Sequence, residues 1–295
     1  MQKEELKEEL EALRLQKIAY KIRLLAIQAI YNARSGHPGG ALSVADMLSV
    51  LYFHKMRVDP QNPRWEGRDR LVLSKGHASA GLYAALALRG FFPVEELMTF
   101  RKIGSRLEGH PYITTPGVEV PTGSLAQGLS NAVGIAMAGK MDGAGFRVYA
   151  IISDGELEEG ATWEASLFAK THRLSNLTIL VDFNGLQLDG KLSIDLAGAS
   201  MAWRDLGLRV MEIDGHDVKA LVRALDEAEQ EKEVPTAIFA HTIKGKGVSY
   251  MEGNDFYHGN PPESQEKYEL AIKELQEKIE EIDMEASRIE GGERP

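Results

Sequence analysis

Apolar and polar positions divide the chain into helical and extended stretches that alternate through most of its length. Residues 4–33 carry apolar positions at helical spacing, among them Leu10, Leu13, Ile18, Ile22, Leu25 and Ile30, and predict a long first helix with a charged, solvated start. The segment Ser35-Gly36-His37-Pro38-Gly39-Gly40 is expected to break it. Three glycines around a proline also give a backbone that can approach a ligand closely. Ser43 is placed to cap a following helix, with Asp46 three residues on as in a capping box. Apolar runs predict strands over 148–152 and 177–181, 68–74 reads as a short buried strand, and 208–213 and 236–241 read as two further strands. Helices are predicted over 79–88, 93–102, 131–139, 157–172 and 218–230, the last with Leu221, Leu225 and Ala228 on its inner face. The 131–139 helix is so rich in Ala and Gly that close packing is expected there, inside the fold or between subunits. Strands alternating with helices predict an α/β fold: a doubly wound, mainly parallel sheet with helices on both faces.

Past Pro261-Pro262 the pattern changes. Tyr268, Ile272, Leu275, Ile279, Ile282, Ala286 and Ile289 alternate spacings of four and three with charges between, a coiled-coil-like seam. Two units are therefore expected: a main domain over 1–262 and an amphipathic helical tail over 263–295. A seam this short is expected to pack on its own domain, on a partner subunit or on a second copy of the chain.

Composition then limits the class. At 295 residues and 43% hydrophobic, the chain can bury a full core. No run spans a bilayer and the start MQKEELKEELEAL has no signal-peptide character, so an intracellular, cytoplasmic protein with no membrane partner is expected. With no cysteine there is no disulfide, thiolate metal site or cysteine nucleophile. The net charge of −10 argues against nucleic acid as the main partner, and a phosphorylated ligand would need a metal or local positive charge.

The predicted strands at 148–152 and 177–181, joined by a helix, form a βαβ unit, so their carboxyl ends should lie on one sheet edge. There they deliver Asp154-Gly155 and Asp182-Phe183-Asn184-Gly185. Asp154 and Asn184 would sit side by side in the crevice where open α/β sheets bind ligands, offering oxygens that suit a hard divalent cation touching phosphates. The predicted strand at 68–74 similarly delivers Lys75-Gly76-His77. Alternatives accompany these signals. Glu156, Glu158 and Glu159 fit the acidic first turn of a helix, and Lys244 and Lys246 fit solvated charges on a mobile loop.

Ser153-Asp154-Gly155 followed by Asn184 resembles the thiamine diphosphate motif that usually begins Gly-Asp-Gly and ends in Asn. Around it SGHPGG, LSKGHAS, EGHP, TGSLAQGLSNAVG, and KGKGVS with YHG resemble, in order, the signature blocks of the transketolase family over roughly residues 14–262. The resemblance implies thiamine diphosphate and Mg2+ (or Ca2+) as cofactors. Asp154, Asn184 and the main-chain carbonyl of Leu186 would be metal ligands. His77, Gly123, Ser124, Leu125 and Gly155 would lie against the cofactor. His37, His77, His110 and His258 would serve catalysis around the reacting carbonyl. Glu159 and Glu164 match acidic residues that join the two active sites of the family's dimer, so Glu159 counts with the cofactor residues. His172 and His241 match no role, and His216, at the turn Asp214-Gly215-His216-Asp217, is assigned no catalytic one.

The chain also departs from the family. Ser153 stands for the first glycine of the motif, and Ser124 and Ala126 for a proline and a glycine. The resemblance also stops short of the pyrimidine-binding domain, which supplies the glutamate that activates the cofactor. It therefore implies the N-terminal subunit of a split transketolase of the pentose phosphate pathway, a heterotetramer of two copies of this chain with a C-terminal subunit. The enzyme would move a two-carbon ketol unit from a ketose phosphate to an aldose phosphate. Alternatives are an α subunit of a 2-oxo acid dehydrogenase, which lacks the SGHPGG and KGHAS blocks, a deoxyxylulose-phosphate synthase-like protein, or a non-catalytic assembly subunit of the same fold.

Overall fold

The computed structural model describes residues 3–196 and 198–291. The long first helix forms as α1 (Lys3–Ala33), and then the chain departs from expectation. Pro38-Gly39-Gly40 does not continue as a loop but opens a short helix, α2 (Pro38–Ser43), with Pro38 in the first turn, where its missing N–H costs nothing. Ser43 therefore caps nothing. The next helix, α3 (Ala45–Val50), begins at Val44 without a side-chain cap, and the buried Ser43 hydroxyl donates instead to Asp182 Oδ2 at 2.7 Å. Asp46 is not a capping partner either but half of a buried ion pair with Arg23.

The five predicted strands all form, and a small hairpin interrupts their succession. In chain order they are β1 (Arg70–Leu73), β2 (Val148–Ser153), β3 (Leu177–Phe183), the hairpin strands β4 (Leu186–Gln187) and β5 (Gly190–Lys191), then β6 (Arg209–Asp214) and β7 (Thr236–His241). The long strands build one parallel sheet in the order β1-β2-β3-β7-β6. The hairpin pairs antiparallel just beyond β3. Connecting helices are α4 (Ser79–Arg89), α5 (Gln127–Met141), α6 (Gly160–Thr171), α7 (Ala199–Asp205) and α8 (Val218–Gln230). The stretch 93–102 winds only as a 3-10 segment, Val94–Thr99. The predicted 157–172 helix is split, because Glu159 is extended (φ −89°, ψ 128°) between a 3-10 turn, Asp154–Glu158, and α6.

Alternation along each strand explains the two layers. Tyr149 and Ile151 of β2, with Leu180 and Ile238, face a core shared with α1, α3, α4 and α8. Val148, Ala150 and Ile152, with Ile179, Val181 and Phe239, face a second core under α5, α6 and α7. Both faces are covered, which is why these strands read as unbroken apolar runs. The small residues of α5 serve internal packing in part. A Cβ on Gly128 would lie 2.5 Å from Ser74 Cα, and one on Gly139 would lie 2.5 Å from the Phe146 ring. Gly134 faces open space.

The tail seam is one helix, α9 (Gln265–Glu290), and its apolar row lies along α1 of the same chain. Tyr31 stacks on Tyr268 at 4.0 Å between ring centroids, and Lys17 pairs with Asp283 nearer the far end, so the two helices run antiparallel. The seam's demand for an apolar partner is met within the chain. Among the described residues no helix is long and apolar enough to cross a membrane. Leu275 is fully buried in this seam, whereas Leu270 is 41% exposed. Leu275→Ala is expected to cost roughly 2–5 kcal/mol in urea unfolding, and Leu270→Ala less than about 0.5 kcal/mol. Equal effects would place the seam elsewhere.

Candidate active site

The carboxyl ends of four neighbouring strands, β1, β2, β3 and β7, open onto one cleft. It has a volume of about 240 Å³ and is lined by Lys75, His77, Gly123, Leu125, Asp154, Gly155, Asn184, Leu186, Lys244 and His258 among others. This is the edge at which parallel sheets expose unpaired backbone groups. The cleft floor is a buried polar knot. Lys75, from the end of β1, pairs with Asp182 of β3, which also accepts from Ser43 and from Thr242 after β7. Burial opposes the charge on Asp182, yet Lys75 and these donors hold its carboxyl below the ordinary value.

Asp154 and Asn184 meet as expected. Asp154 Oδ2 accepts the amides of Asn184 (2.7 Å) and Gly185 (2.5 Å), and Oδ1 that of Gly155 (2.9 Å). Asn184 Oδ1 accepts the Leu186 amide at 3.2 Å. The Leu186 carbonyl accepts from the Lys244 ammonium at 2.8 Å. Burial, then the nearby Asp182, raises the Asp154 carboxyl to about 6. Among the described residues no three His, Cys, Asp or Glu side chains form a metal cage of their own. A cation here must combine one carboxylate with neutral oxygens and with its ligand. The residues fit such an ion. An under-compensated carboxylate, an amide oxygen and a carbonyl already drawing an ammonium are gathered at one point, all hard oxygen donors.

Four histidines from four separate segments converge above this floor. His37 lies 5.4 Å from His77, 6.1 Å from His110 and 5.6 Å from His258 between ring centroids, and His77 stacks on His258 at 5.1 Å. Burial, then Arg101, brings His37 down to about 4, while burial, then Lys244, brings His258 to about 3. Burial also lowers His77 and, with Arg101, His110. At neutral pH all four are uncharged, and each ring offers one donor and one acceptor. Lys244 donates to His258 Nδ1 at 2.7 Å, which leaves the His258 proton on Nε2.

The structure thus brings His37, His77, His110, His258, Gly123, Leu125, Asp154, Gly155, Asn184 and Leu186 together. Ser124 is adjacent but exposed, and Glu159 is exposed outside the cleft, as is Glu164. Two alternatives are resolved here. Glu156 does lie in the first turn, that of the 3-10 segment, where it and Ser153 form a reciprocal capping box, but it is buried. Fully buried, it accepts from the amides of Ser153 (2.8 Å) and Ala126 (2.9 Å) and from the Ser74 hydroxyl. One carboxyl therefore ties the ends of β1 and β2 to the loop carrying Gly123–Leu125. Ser153, the residue in place of the motif's first glycine, adds its own hydroxyl to Glu156 at 3.3 Å. Of the two readings open for Lys244 the solvated one is excluded, since it is 3% exposed, with burial and then Lys75 lowering its ammonium to about 8. Lys246 stays at the surface side, paired with Glu252 at 3.4 Å. The glycines flanking Lys246 hold positive φ, at +80° for Gly245 and +92° for Gly247, and were the sequence signal for a fixed turn rather than a mobile one. Lys75 and Asp182 carried no such signal.

A family model described as transketolase, thiamine diphosphate binding domain, matches residues 15–279. The chain belongs to the transketolase family. It is 43% identical over 265 residues to the 6-deoxy-6-sulfo-D-fructose transketolase subunit SqwG of Clostridium sp. (strain MSTE9), spanning 89% of this chain and 96% of that one. To an apulose-4-phosphate transketolase subunit of Phocaeicola vulgatus it is 40% identical over 279 residues, covering 94% and 98%. The solved transketolase of Campylobacter jejuni matches with a TM-score of 0.80 at 35% identity, over 94% of this chain and 48% of that one. The chain therefore spans about half the length of that transketolase. Membership of this family decides between the thiamine diphosphate families that the Asp154…Asn184 motif left open.

The geometry of the cleft sets two expected outcomes. Glu156→Ala leaves the Ser153 and Ala126 amides unpaired in a dry site and should lower unfolding free energy by about 1–3 kcal/mol in urea. A neutral result would show that Glu156 ties nothing together. For His37 the folded value of about 4 lies below the ordinary 6.5, so between these pH values the unfolded chain binds a proton that the folded chain refuses. Its contribution to stability is complete above about 6.5 and is lost as pH falls toward 4. An NMR titration of the His37 ring should show no protonation at pH 6; a midpoint near 6.5 would contradict this.

Proposed function

We propose that this chain is the thiamine diphosphate-binding, N-terminal subunit of a two-subunit transketolase. The assembled enzyme moves a two-carbon ketol unit between sugars that carry an anionic group. The observation that carries the reading is the cleft itself, in which four uncharged histidines face an oxygen-lined cation position at the ends of β2 and β3. Its support in the family is that the two relatives spanning almost the same length bear subunit names, one for a sulfonated and one for a phosphorylated sugar.

In this reading Asp154, Asn184 and the Leu186 carbonyl would hold Mg2+ or Ca2+, whose charge would offset the diphosphate that an acidic protein otherwise repels. Gly155 lets the backbone come close to a phosphate oxygen, and His77 donates to it. Lys244, which donates to the Leu186 carbonyl, would be free to offset diphosphate charge were that oxygen taken by a divalent ion. Gly123, Ser124 and Leu125 lie along the rings. When bound, thiamine diphosphate supplies the nucleophilic carbon and electron sink for making and breaking the ketol C–C bond. The chain's own contribution is orientation and proton placement. His37, His110 and His258 donate to or accept from sugar oxygens as neutral imidazoles, so no imidazolium competes with the metal for the diphosphate.

The reading also assigns partners. A C-terminal subunit brings the pyrimidine-binding domain with its activating glutamate, and a second copy of this chain packs on the α5–α6 face. That face supports the second assignment. Gly134 is open, Met141, Leu167 and Phe168 are exposed beside it, and Glu159 and Glu164 are exposed on the same helix start.

In a coupled ketol-transfer assay the chain alone should be inactive and become active when the C-terminal subunit is added. Turnover by the lone chain would end the half-site reading. Asp154→Ala should weaken metal-dependent thiamine diphosphate binding by the complex more than about 100-fold in calorimetry, since losses even of outer-shell partners reach that scale. Binding unchanged by the substitution, or absent from the wild-type complex, would leave only the non-catalytic assembly role.

A further inference from the structure

His216 stands outside the cleft, on the turn between β6 and α8, and belongs to none of the roles above. Its surroundings are nevertheless those of a fixed relay. His216 Nε2 accepts the backbone amide of Ile243 at 2.8 Å, so its proton is on Nδ1, which lies 2.8 Å from Asp46 Oδ2. Asp46 is buried on α3 and paired with Arg23 of α1, whose Nε also donates to the Leu42 carbonyl at 3.1 Å. Burial works against the Asp46 charge, but Arg23 and then His216 hold its carboxyl below the ordinary value. The ring is thus clamped from behind and only 13% exposed.

What it holds is the strap that follows β7. Thr242 is bound to Asp182, the Gly245 amide donates to the Gly39 carbonyl at 3.0 Å, and between them the Ile243 amide goes to His216. The Ile243 side chain points outward, 39% exposed, which leaves the next residue, Lys244, directed into the cleft onto Leu186 and His258. Gly215 beside the histidine admits this approach, since a Cβ there would lie 2.5 Å from Thr242 Cγ2.

We propose that His216 is a positioning residue of the active site. Braced by Asp46 and Arg23, it fixes the Ile243 amide and so aims Lys244, which in turn sets the ring proton of His258. The value of this aim for catalysis rests on the thiamine diphosphate reading of the cleft, but the relay itself does not. A buried ion pair and one ring nitrogen would then govern, from behind the sheet edge, which atom His258 presents to a substrate.

The test uses the full chain with 15N-labelled histidine and backbone. In the wild type, a scalar coupling across the N–H···N bond should join the Ile243 amide to His216 Nε2, and the His258 ring shifts should report a proton on Nε2. Absence of that coupling overturns the proposal without any variant. His216→Leu should mix the His258 tautomers and speed amide exchange at 243–245, while His216→Gln, which keeps a donor and an acceptor, should restore both. A folded His216→Leu chain with unchanged His258 shifts and exchange would reduce His216 to a structural residue. With the C-terminal subunit present, His216→Leu should weaken thiamine diphosphate binding about tenfold. The NMR readouts need no cofactor, so they stand or fall separately from the cofactor reading.

Discussion

The site depends on one buried ion pair. Lys75 and Asp182 neutralise each other beneath the cleft, and through Ser43 and Thr242 the same carboxylate draws in α2 and the strap after β7. Three strand ends, those of β1, β3 and β7, and one helix are thereby brought to a common centre. A buried pair of this kind gives little net stability when complete, yet removing one partner costs about 3–5 kcal/mol because a bare charge remains. Its contribution is placement: the pair fixes where Asp154, Asn184 and Lys244 must be.

Charge then sorts itself by depth. At the floor, opposite charges are paired. One level up, Asp154 is left without a cationic side chain and its carboxyl rises to about 6, a position that favours an arriving cation. Above that, His37, His77 and His258 are kept neutral by burial and by nearby Lys and Arg groups, and the more exposed His110 is lowered by partial burial and Arg101. Positive charge is thus held back from the imidazoles and concentrated on Lys75, Lys244 and any bound metal, which suits a diphosphate below and uncharged sugar oxygens above.

Much of this was legible in the sequence because it depends on local order. All five predicted strands formed, and the βαβ unit placed Asp154 beside Asn184. The glycine-histidine blocks marked the loops that meet there. The burial of Glu156 and Lys244 was hidden for a common reason. The first-turn place of Glu156 and its capping box with Ser153 are local, but whether a charged side chain is buried depends on distant partners, Ser74 and Ala126 for one, Leu186 and His258 for the other. The same holds for Ser43, whose spacing to Asp46 mimicked a cap while both side chains served contacts far along the chain.

By itself, then, the sequence determined the layered parallel sheet, the edge on which the site lies and the residue types that line it. Periodicity and strand-end motifs are properties of short windows, and the parallel sheet gathers its strand ends on one edge whatever the details. The tertiary structure alone decided which charges are paired, which histidines meet, and that the tail seam closes on α1. Those outcomes turn on contacts between residues such as Lys75 and Asp182, 107 positions apart, whose energies exist only once the low-dielectric interior has formed around them.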